Sequence, residues 1–319
     1  MKKSIIISVL AVILVAGCVG EIPFIPIPST FIGGNGLTII EFSVEPSEVY
    51  GGSSARVIVE VENKGGALVE EEKGFVMLIG SALDLDGDED MYWTSDTETS
   101  VYKHFGKDMK PADPVRETPS DTKRLSWSLK APDIDAGQVK EDIFIGRVYY
   151  DYETTVSGTI WIYSQDEADA ARAAGRAMRS STFTSTAGPV GVEVKTSPDP
   201  VVVEGDGETF VLTIKLSSVG GGTLYKAGGV NYTDGSENEE ITEDELNWVN
   251  VDIAASPSIL TIPGECEGDQ ELVGGKDVTI TCDVTVISEP ATFQGVPLTV
   301  TASYGYFTER TVSVSVSGR

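Results

Sequence analysis

The sequence predicts an all-β fold, with two tandem antiparallel β-sandwiches joined by a short helix. The first observation is the alternation of apolar and polar residues in segments such as "RVIVEVEN" and "FVLTIKLS", which are bounded by Gly and Asn. A period of two between turn residues is typical of half-buried antiparallel strands. The second observation is an internal duplication at a constant offset. About 300 residues follow the N-terminal leader, enough for two domains of ordinary size.

The duplication is visible at both ends of the repeated unit. Pro46 recurs as Pro200, and Tyr150 recurs as Tyr304, and each pair is 154 positions apart. The copies end in "IFIGRVYYDYETTVSGTIWIYS" and "PLTVTASYGYFTERTVSVSVSG", and each of these segments is interpreted as a hairpin. Two similar units, each rich in strands, indicate a pair of β-sandwiches.

The repeat sets the predicted domain boundaries. They are a signal peptide at 1–17, a Pro-rich tether at 18–36, a first sandwich at 37–163, a helical linker at 164–187 and a second sandwich at 188–319. Few contacts are expected to cross such a linker, so the connection should be open to proteases and the halves should fold separately.

The N-terminus has the layout of an export signal. Lys2 and Lys3 precede twelve uncharged residues, Ile5 to Ala16, which is short for a membrane span of about 20 apolar residues. The following Val-Ala-Gly-Cys resembles the lipobox of exported lipoproteins, and the resemblance implies cleavage before Cys18 and lipidation of its thiol. The alternatives are an ordinary signal peptide or an uncleaved anchor with an incidental cysteine. In each case the chain leaves the cytoplasm, and with a lipid on Cys18 the protein is expected outside the cell, anchored to the membrane at the cell surface.

The charge of the chain restricts its partners. Lys and Arg number 23 and Asp and Glu 50, so the formal net charge is −27. This field repels phosphate backbones, which argues against nucleic acid as a partner, and it attracts cations and basic proteins. The same charge also serves to keep an exposed protein soluble.

Cysteine usage agrees with export. Beyond Cys18, the chain has one pair, Cys266 and Cys282, on either side of a Gly-Gly turn. In an oxidising compartment they predict a disulfide across a hairpin, which stabilises by about 3 kcal/mol in the chain-entropy model. Two free thiols are the alternative. Asn231 begins an Asn-Tyr-Thr triplet and is a candidate glycosylation site.

Capping boxes mark two helix starts. Ser164 and Glu167 open "SQDEADAARAAGRAMRSS", the helix expected between the two units, and Thr242 and Glu245 open a shorter one. The longer helix has mostly Ala on its apolar positions, so it is interpreted as a spacer or a cap at the junction. A partner-binding helix is the alternative, although such helices normally offer larger anchors.

No catalytic motif stands out. His104 is the single histidine, and familiar nucleophile-base pairs need a histidine that a carboxylate orients. With 50 acidic residues in the chain, a pair of carboxylates arises easily by chance. The protein is therefore expected not to be an enzyme, and Ca²⁺ is the one candidate cofactor.

The best candidate for a metal site is "LDLDGDEDMYW". Asp84, Asp86, Asp88 and Asp90 recur at every second residue, and their mutual repulsion would be relieved by Ca²⁺, which takes six to eight oxygen ligands. The spacing departs from the EF-hand loop, because the glycine comes fourth rather than sixth and no Glu stands twelfth. A solvated acidic turn is the alternative.

Aromatic residues in the polar segment that follows form a candidate ligand patch. Trp93, Tyr102 and Phe105 lie in a stretch where an exposed patch would hold a sugar or a partner protein. For Trp93, core packing is an equal alternative. Core packing is the expectation for the other three tryptophans, Trp127, Trp161 and Trp248.

The repeated pattern also resembles a known class of module. "FSVEPSEVYGGSSARVIVEVENKGG" and "VEVKTSPDPVVVEGDGETFVLTIKLSSVGGG" are similar to Ig-like modules of the cell-adhesion-related type (CARDB) and of archaeal S-layer-associated surface proteins. The resemblance implies Ig-like sandwiches and a non-catalytic role in adhesion or envelope structure, with other surface proteins or envelope glycans as partners. The alternative is a ligand- or substrate-binding surface protein, which would depend on Ca²⁺ if the acidic run holds that ion.

The lipobox makes a direct prediction. Replacing Cys18 with Ser removes the acceptor of the lipid, so the Cys18→Ser protein should leave the membrane fraction and accumulate in the medium. Fractionation of producing cells, followed by immunoblotting, measures this distribution. Membrane association equal to that of the parent would argue against the lipid anchor.

Overall fold

The computed structural model describes residues 34–80, 83–85, 92–95, 97, 100–230, 241–256 and 258–319. Strands dominate these residues, and they contain a single α-helix, α1, at Gln165–Ala173. Three short 3-10 turns lie at Glu71–Lys73, Glu243–Glu245 and Gly264–Cys266. The predicted all-β sandwich fold is confirmed.

The strands form three sheets. In the three-stranded sheet the order is β1 (Leu37–Glu45), β3 (Ser54–Asn63), β6 (Thr122–Lys130). In the four-stranded sheet the order is β14 (Leu260–Thr261), β16 (Asp277–Val286), β11 (Thr209–Ser218), β9 (Val190–Ser197). The main path of the ten-stranded sheet is β15 (Gly268–Glu271), β13 (Trp248–Ala255), β17 (Phe293–Ser317), β7 (Val139–Ser164), β4 (Gly74–Gly80), β5 (Tyr102–His104). Off this path, β2 (Glu48–Tyr50) and β12 (Thr223–Tyr225) pair with β17, and β8 (Thr182–Ser185) and β10 (Val201–Val203) pair with β7.

Alternation along the strands builds the core. Val57, Val59 and Val61 of β3 are fully buried, and so are Leu212 and Ile214 of β11. The smaller sheets pack these faces against the ten-stranded sheet: β1 contacts β17 and β7, and β9 contacts β7. The ten-stranded sheet therefore supplies one layer of both sandwiches.

The two predicted hairpins are wrong. Each segment is one continuous strand, 26 residues long in β7 and 25 in β17. The two strands pair antiparallel from Val139 opposite Ser317 to Tyr163 opposite Phe293. A hairpin needs a turn in mid-segment, but the in-out alternation of side chains continues unbroken there. A partner of equal length satisfies the backbone groups along the whole strand.

The register of this pair reveals an approximate two-fold axis. Asp151 lies opposite Gly305, which is also the residue 154 positions further on in the repeat. Short strands are exchanged across the axis: β2 of the first repeat pairs parallel with β17, and β10 of the second repeat pairs parallel with β7. We call the region around the axis, where the two repeats meet, the seam.

The seam contradicts the expectation that few contacts cross between the repeats. Helix α1 also lies away from this junction, since it follows the far end of β7. The Ser164 side chain accepts a hydrogen bond from the Glu167 N–H at 3.3 Å, which confirms the N-cap. Ala168 and Ala171 are buried, and the helix contacts β7 and β10. The helix thus caps one end of the second sandwich.

The predicted disulfide between Cys266 and Cys282 is present, with its Cα atoms 5.8 Å apart. It does not close a hairpin, because β15 pairs with β13 whereas β16 belongs to the four-stranded sheet. Cys266 lies two residues before β15, so the bond ties the two layers of the second sandwich together.

Limited proteolysis tests the shared sheet. Arg176 is exposed in the connection after α1, so trypsin should cut there under native conditions. Because β7 and β17 pair along their whole length, the two fragments should stay together in size-exclusion chromatography and separate only on a denaturing gel.

The disulfide does not complicate this test, since both of its cysteines lie in the C-terminal fragment. Fragments that elute separately without denaturant would show that the repeats fold independently and would overturn the shared sheet.

Candidate functional site

Four tyrosines lie at the seam on the side facing the cores. Tyr150, Tyr152, Tyr304 and Tyr306 are between 0% and 2% exposed, because alternate residues of β7 and β17 point into the sandwiches. Tyr152 is directly opposite Tyr304, and Tyr150 is opposite Tyr306. Ring centroids within the group are 5.8 to 6.1 Å apart. This tyrosine cluster is the shared centre of both cores.

Two of these hydroxyls bind glycine-containing turns, one in each repeat. Tyr152 Oη accepts from the N–H groups of Gly66 and Ala67, both at 2.9 Å. Tyr306 Oη accepts from the N–H of Gly222 at 2.5 Å. A Cβ added to Gly65 would overlap Tyr152 Oη, so this approach requires a glycine.

The other two hydroxyls bind the starts of the first strands. Tyr150 Oη donates to the Leu37 carbonyl at 3.3 Å, and Tyr304 Oη accepts from the Val190 N–H at 3.1 Å. Thr154 Oγ1 lies 2.8 Å from Tyr304 Oη. Burial raises the pKa of each of the four phenols above its ordinary value of 10.0, and the neighbouring tyrosines add to the effect at Tyr150 and Tyr304.

On the opposite face of the ten-stranded sheet, the seam carries a cavity of about 700 Å³. We call it the seam cavity. Both repeats contribute to its lining, which consists of Phe75, Met77, Ile79, Tyr102, Arg147, Tyr149, Thr223, Val230, Ile241, Leu246 and Phe307. A small separate apolar cluster, formed by Phe75, Tyr149, Tyr225 and Val230, is its floor. The cavity combines mainly apolar walls with a few polar groups, as small-molecule sites do.

Among the described residues that line this cavity, Arg147 is the one cation. Arg147 donates from Nε and Nη2 to Glu309 Oε2 at 2.9 and 2.7 Å, and from Nη1 to Tyr149 Oη at 2.9 Å. Its guanidinium carbon is 4.7 Å from the ring centroid of Phe307, within the range of a cation–π contact. The ion pair joins β7 to β17 on the outer face.

The second half of the sheet has no such set of residues at the equivalent positions. The residues 154 positions after Arg147 and Tyr149 are Thr301 and Ser303, and the residue 154 positions before Phe307 is Glu153. The approximate symmetry of the inner tyrosines is therefore lost on the outer face. The positions equivalent to Arg147, Tyr149 and Phe307 therefore carry no aromatic or cationic side chain.

Several predicted site residues lie outside the described residues, namely Cys18, Asp86, Asp88, Asp90 and Asn231. Asp84 is described, and its N–H donates to the Trp93 carbonyl at 2.9 Å. Within the described part of the chain, no three His, Cys, Asp or Glu side chains cluster as a metal site would require. Calcium binding at the acidic run stays a prediction.

The predicted ligand patch is wrong for two of its three residues. Trp93 and Phe105 are fully buried. Trp93 Nε1 donates to Asp142 Oδ2 at 2.9 Å, and Lys140 Nζ lies 3.1 Å from the other carboxylate oxygen. Burial of an indole in a polar stretch of sequence is possible because this hydrogen bond satisfies its N–H. Tyr102, by contrast, does line the seam cavity.

The other three tryptophans differ in their burial. Trp127 is fully buried, as predicted, whereas Trp161 and Trp248 are only half-buried. Trp161 packs under the guanidinium of Arg179 at 4.6 Å, and Trp248 Nε1 donates to the Asp244 carbonyl at 2.7 Å. The capping box of Thr242 and Glu245 is confirmed in the 3-10 turn nearby.

Sequence reasoning missed Arg147, Tyr149 and Phe307. A signal was present, because "RVYYDY" carries aromatic residues on both faces of a strand, which predicts that both faces are covered. The hairpin interpretation hid it, since the partner across β7 was then expected within the same segment.

Comparison with known proteins shows little. No family model matches the chain, and no curated protein matches it. Among solved structures, Escherichia coli alpha-2-macroglobulin activated by porcine elastase is 12% identical, with 91% of this chain and 22% of that chain covered and a TM-score of 0.20. The native conformation of E. coli alpha-2-macroglobulin gives 10% identity, coverages of 88% and 17% and a TM-score of 0.19. The chain thus spans about a fifth of the length of these proteins, and so low a TM-score supports no inference. Among the described residues, no helix is long and apolar enough to cross a membrane.

The tyrosine cluster predicts sensitivity to alkali. A phenol whose pKa is raised by folding stabilises the protein below pH 10, its ordinary pKa, and this contribution is lost as the pH rises further. Between its ordinary pKa and its raised pKa, each such phenol should lower the free energy of unfolding by about 1.4 kcal/mol per pH unit. Urea unfolding measured between pH 8 and pH 11 records the slope.

Two variants separate the cluster from other effects. Tyr304→Phe removes one buried phenol and should give a shallower slope, although its stability at pH 8 falls because two hydrogen bonds are lost. Tyr50→Phe changes a side chain that is 57% exposed and should match the parent. Equal slopes in all three proteins would contradict the assignment.

Proposed function

We propose that the protein is a non-catalytic module of the cell surface, held to the membrane by lipid on Cys18, that acts in adhesion or envelope structure. The observation that carries the proposal is the pairing of β7 with β17 over 25 residues. Two sandwiches joined in this way behave as one stiff body. An adhesive or structural element needs stiffness, because a flexible joint would not hold two contacts at a set distance.

The point of attachment of the tether supports a structural role. Gly34, the first described residue, donates its N–H to the Gly188 carbonyl at 3.1 Å, and the Gly36 carbonyl accepts from the Lys64 N–H at 3.0 Å. These residues lie beside the tyrosine cluster, so a tether ending at Gly34 would hold the molecule at its middle. Since β7 alone spans roughly 80 Å, both arms would remain available to neighbouring molecules.

The surface charge is consistent with this proposal. A formal net charge of −27 keeps a crowded surface protein from aggregating and favours basic or cation-bridged partners. Ligand binding is the second candidate function, and the seam cavity is the observation that favours it.

The proposal is tested in cells that produce the protein. We expect cells lacking it, and cells making the Cys18→Ser protein, to lose attachment to surfaces or resistance to osmotic lysis relative to the parent. If both properties are unchanged when the protein is absent, the proposed role is wrong.

A pair of glycine variants tests whether stiffness matters. Gly65→Val places a side chain against Tyr152 Oη at the seam, whereas Gly221→Val adds one where no heavy atom lies within 4 Å. At equal surface abundance, Gly65→Val should reproduce the loss and Gly221→Val should not. Equal behaviour of the two variants would argue against a rigid module.

A further inference from the structure

We infer that the seam cavity binds a neutral, mainly apolar small molecule that carries a hydrogen-bond acceptor. This site goes beyond the proposed structural role and does not depend on it. The volume of about 700 Å³ lies within the range of roughly 300 to 1,000 Å³ that is usual for pockets holding drug-sized ligands.

The walls define the apolar part of the ligand. Phe75 is the centre of the aromatic floor, with its ring centroid 5.1 Å from that of Tyr149 and 5.6 Å from that of Tyr102. Met77 and Ile79 extend the wall along β4, and Leu246 closes it from the second repeat. Such walls favour an apolar occupant, because binding removes apolar surface of both the walls and the ligand from water.

The charged side chains at the cavity define the polarity of the ligand. Glu309 already neutralises Arg147, because two guanidinium N–H groups donate to one of its oxygens. An anionic ligand would be repelled by this carboxylate and by the formal net charge of −27, and a cation would be repelled by the guanidinium. A neutral molecule avoids both costs.

The N–H groups of Arg147 that Glu309 and Tyr149 do not use explain why the ligand should carry a hydrogen-bond acceptor. A guanidinium has five N–H groups, and Glu309 and Tyr149 take three of them. Stacking on Phe307 holds the group in place. Within the described part of the chain, the other two N–H groups have no acceptor and can donate to a carbonyl or ether oxygen of the ligand.

Three fluorescent probes test these properties on the purified protein. Nile red is neutral and has a ring carbonyl, N-phenyl-1-naphthylamine is neutral without a carbonyl, and 1-anilinonaphthalene-8-sulfonate adds an anionic group to the naphthylamine skeleton. We expect saturable binding of one molecule of each neutral probe, with the sulfonate at least about fivefold weaker than its neutral counterpart. A sulfonate that binds as tightly as the neutral naphthylamine would overturn the assignment of a neutral ligand.

Matched variants place the binding in the cavity. Ile79→Lys puts a charge in the wall, while Ala254→Lys puts one at the equivalent place in the second half, since Ile79 lies opposite Ile145 and Ala254 opposite Thr299. The first should weaken both neutral probes at least about tenfold and the second less than about twofold. Equal binding by parent and Ile79→Lys would overturn the site.

Two more variants test the site if Ile79→Lys does not fold and test the role of the acceptor. If melting shows that Ile79→Lys is unfolded, Thr223→Trp blocks the cavity from β12 instead, and the same loss is expected. Arg147→Met keeps an apolar stem but removes the donors, so it should weaken Nile red more than the naphthylamine. An equal effect on the two probes would overturn the role of the acceptor.

Discussion

The antiparallel pairing of β7 with β17 is the constraint on which the rest of the structure depends. Its register sets Asp151 opposite Gly305, which places the two repeats about one axis. The tyrosines of both copies then fall at the same level of the sheet, and their hydroxyls bind turns and strand starts of both repeats. A slip by one residue would turn every tyrosine to the outer face, so the cores, the turns and the register stabilise one another.

The two faces of the seam have diverged differently. Inner positions are tied to both cores and keep the approximate symmetry, because a change at one tyrosine disturbs packing in both sandwiches. Residues on the outer face do not pack in both cores, so they are not constrained in this way. There the first half carries Arg147 and Tyr149 where the second half carries Thr301 and Ser303. The duplicated chain thus has a nearly symmetric inner face and an asymmetric outer face. The outer face is the one that carries the seam cavity.

Predictions from sequence patterns were correct where the pattern involves residues close together in the sequence. Period-two alternation located β3 and β11, the Ser164 cap located the helix start, and the cysteine pair was identified correctly. They failed where the partner is distant. The segment around residue 151 was interpreted as part of a hairpin, because its partner lies more than 150 residues away in the sequence. For Trp93 the sequence left an exposed patch and the core as equal alternatives, and Asp142 beside its indole N–H decides for the core.

The strand-rich fold, the duplication and the disulfide were predictable from the sequence, because alternation, repeat spacing and cysteine number are properties of the chain. The sharing of one sheet by the two repeats, and the meeting of Arg147 with Glu309 and Phe307 over a cavity, become visible only in the folded molecule. The physical reason is that strand pairing is chosen by the total burial and hydrogen bonding of the whole molecule. Two long strands with the same alternation form more hydrogen bonds and bury more apolar surface together than either would by folding back on itself.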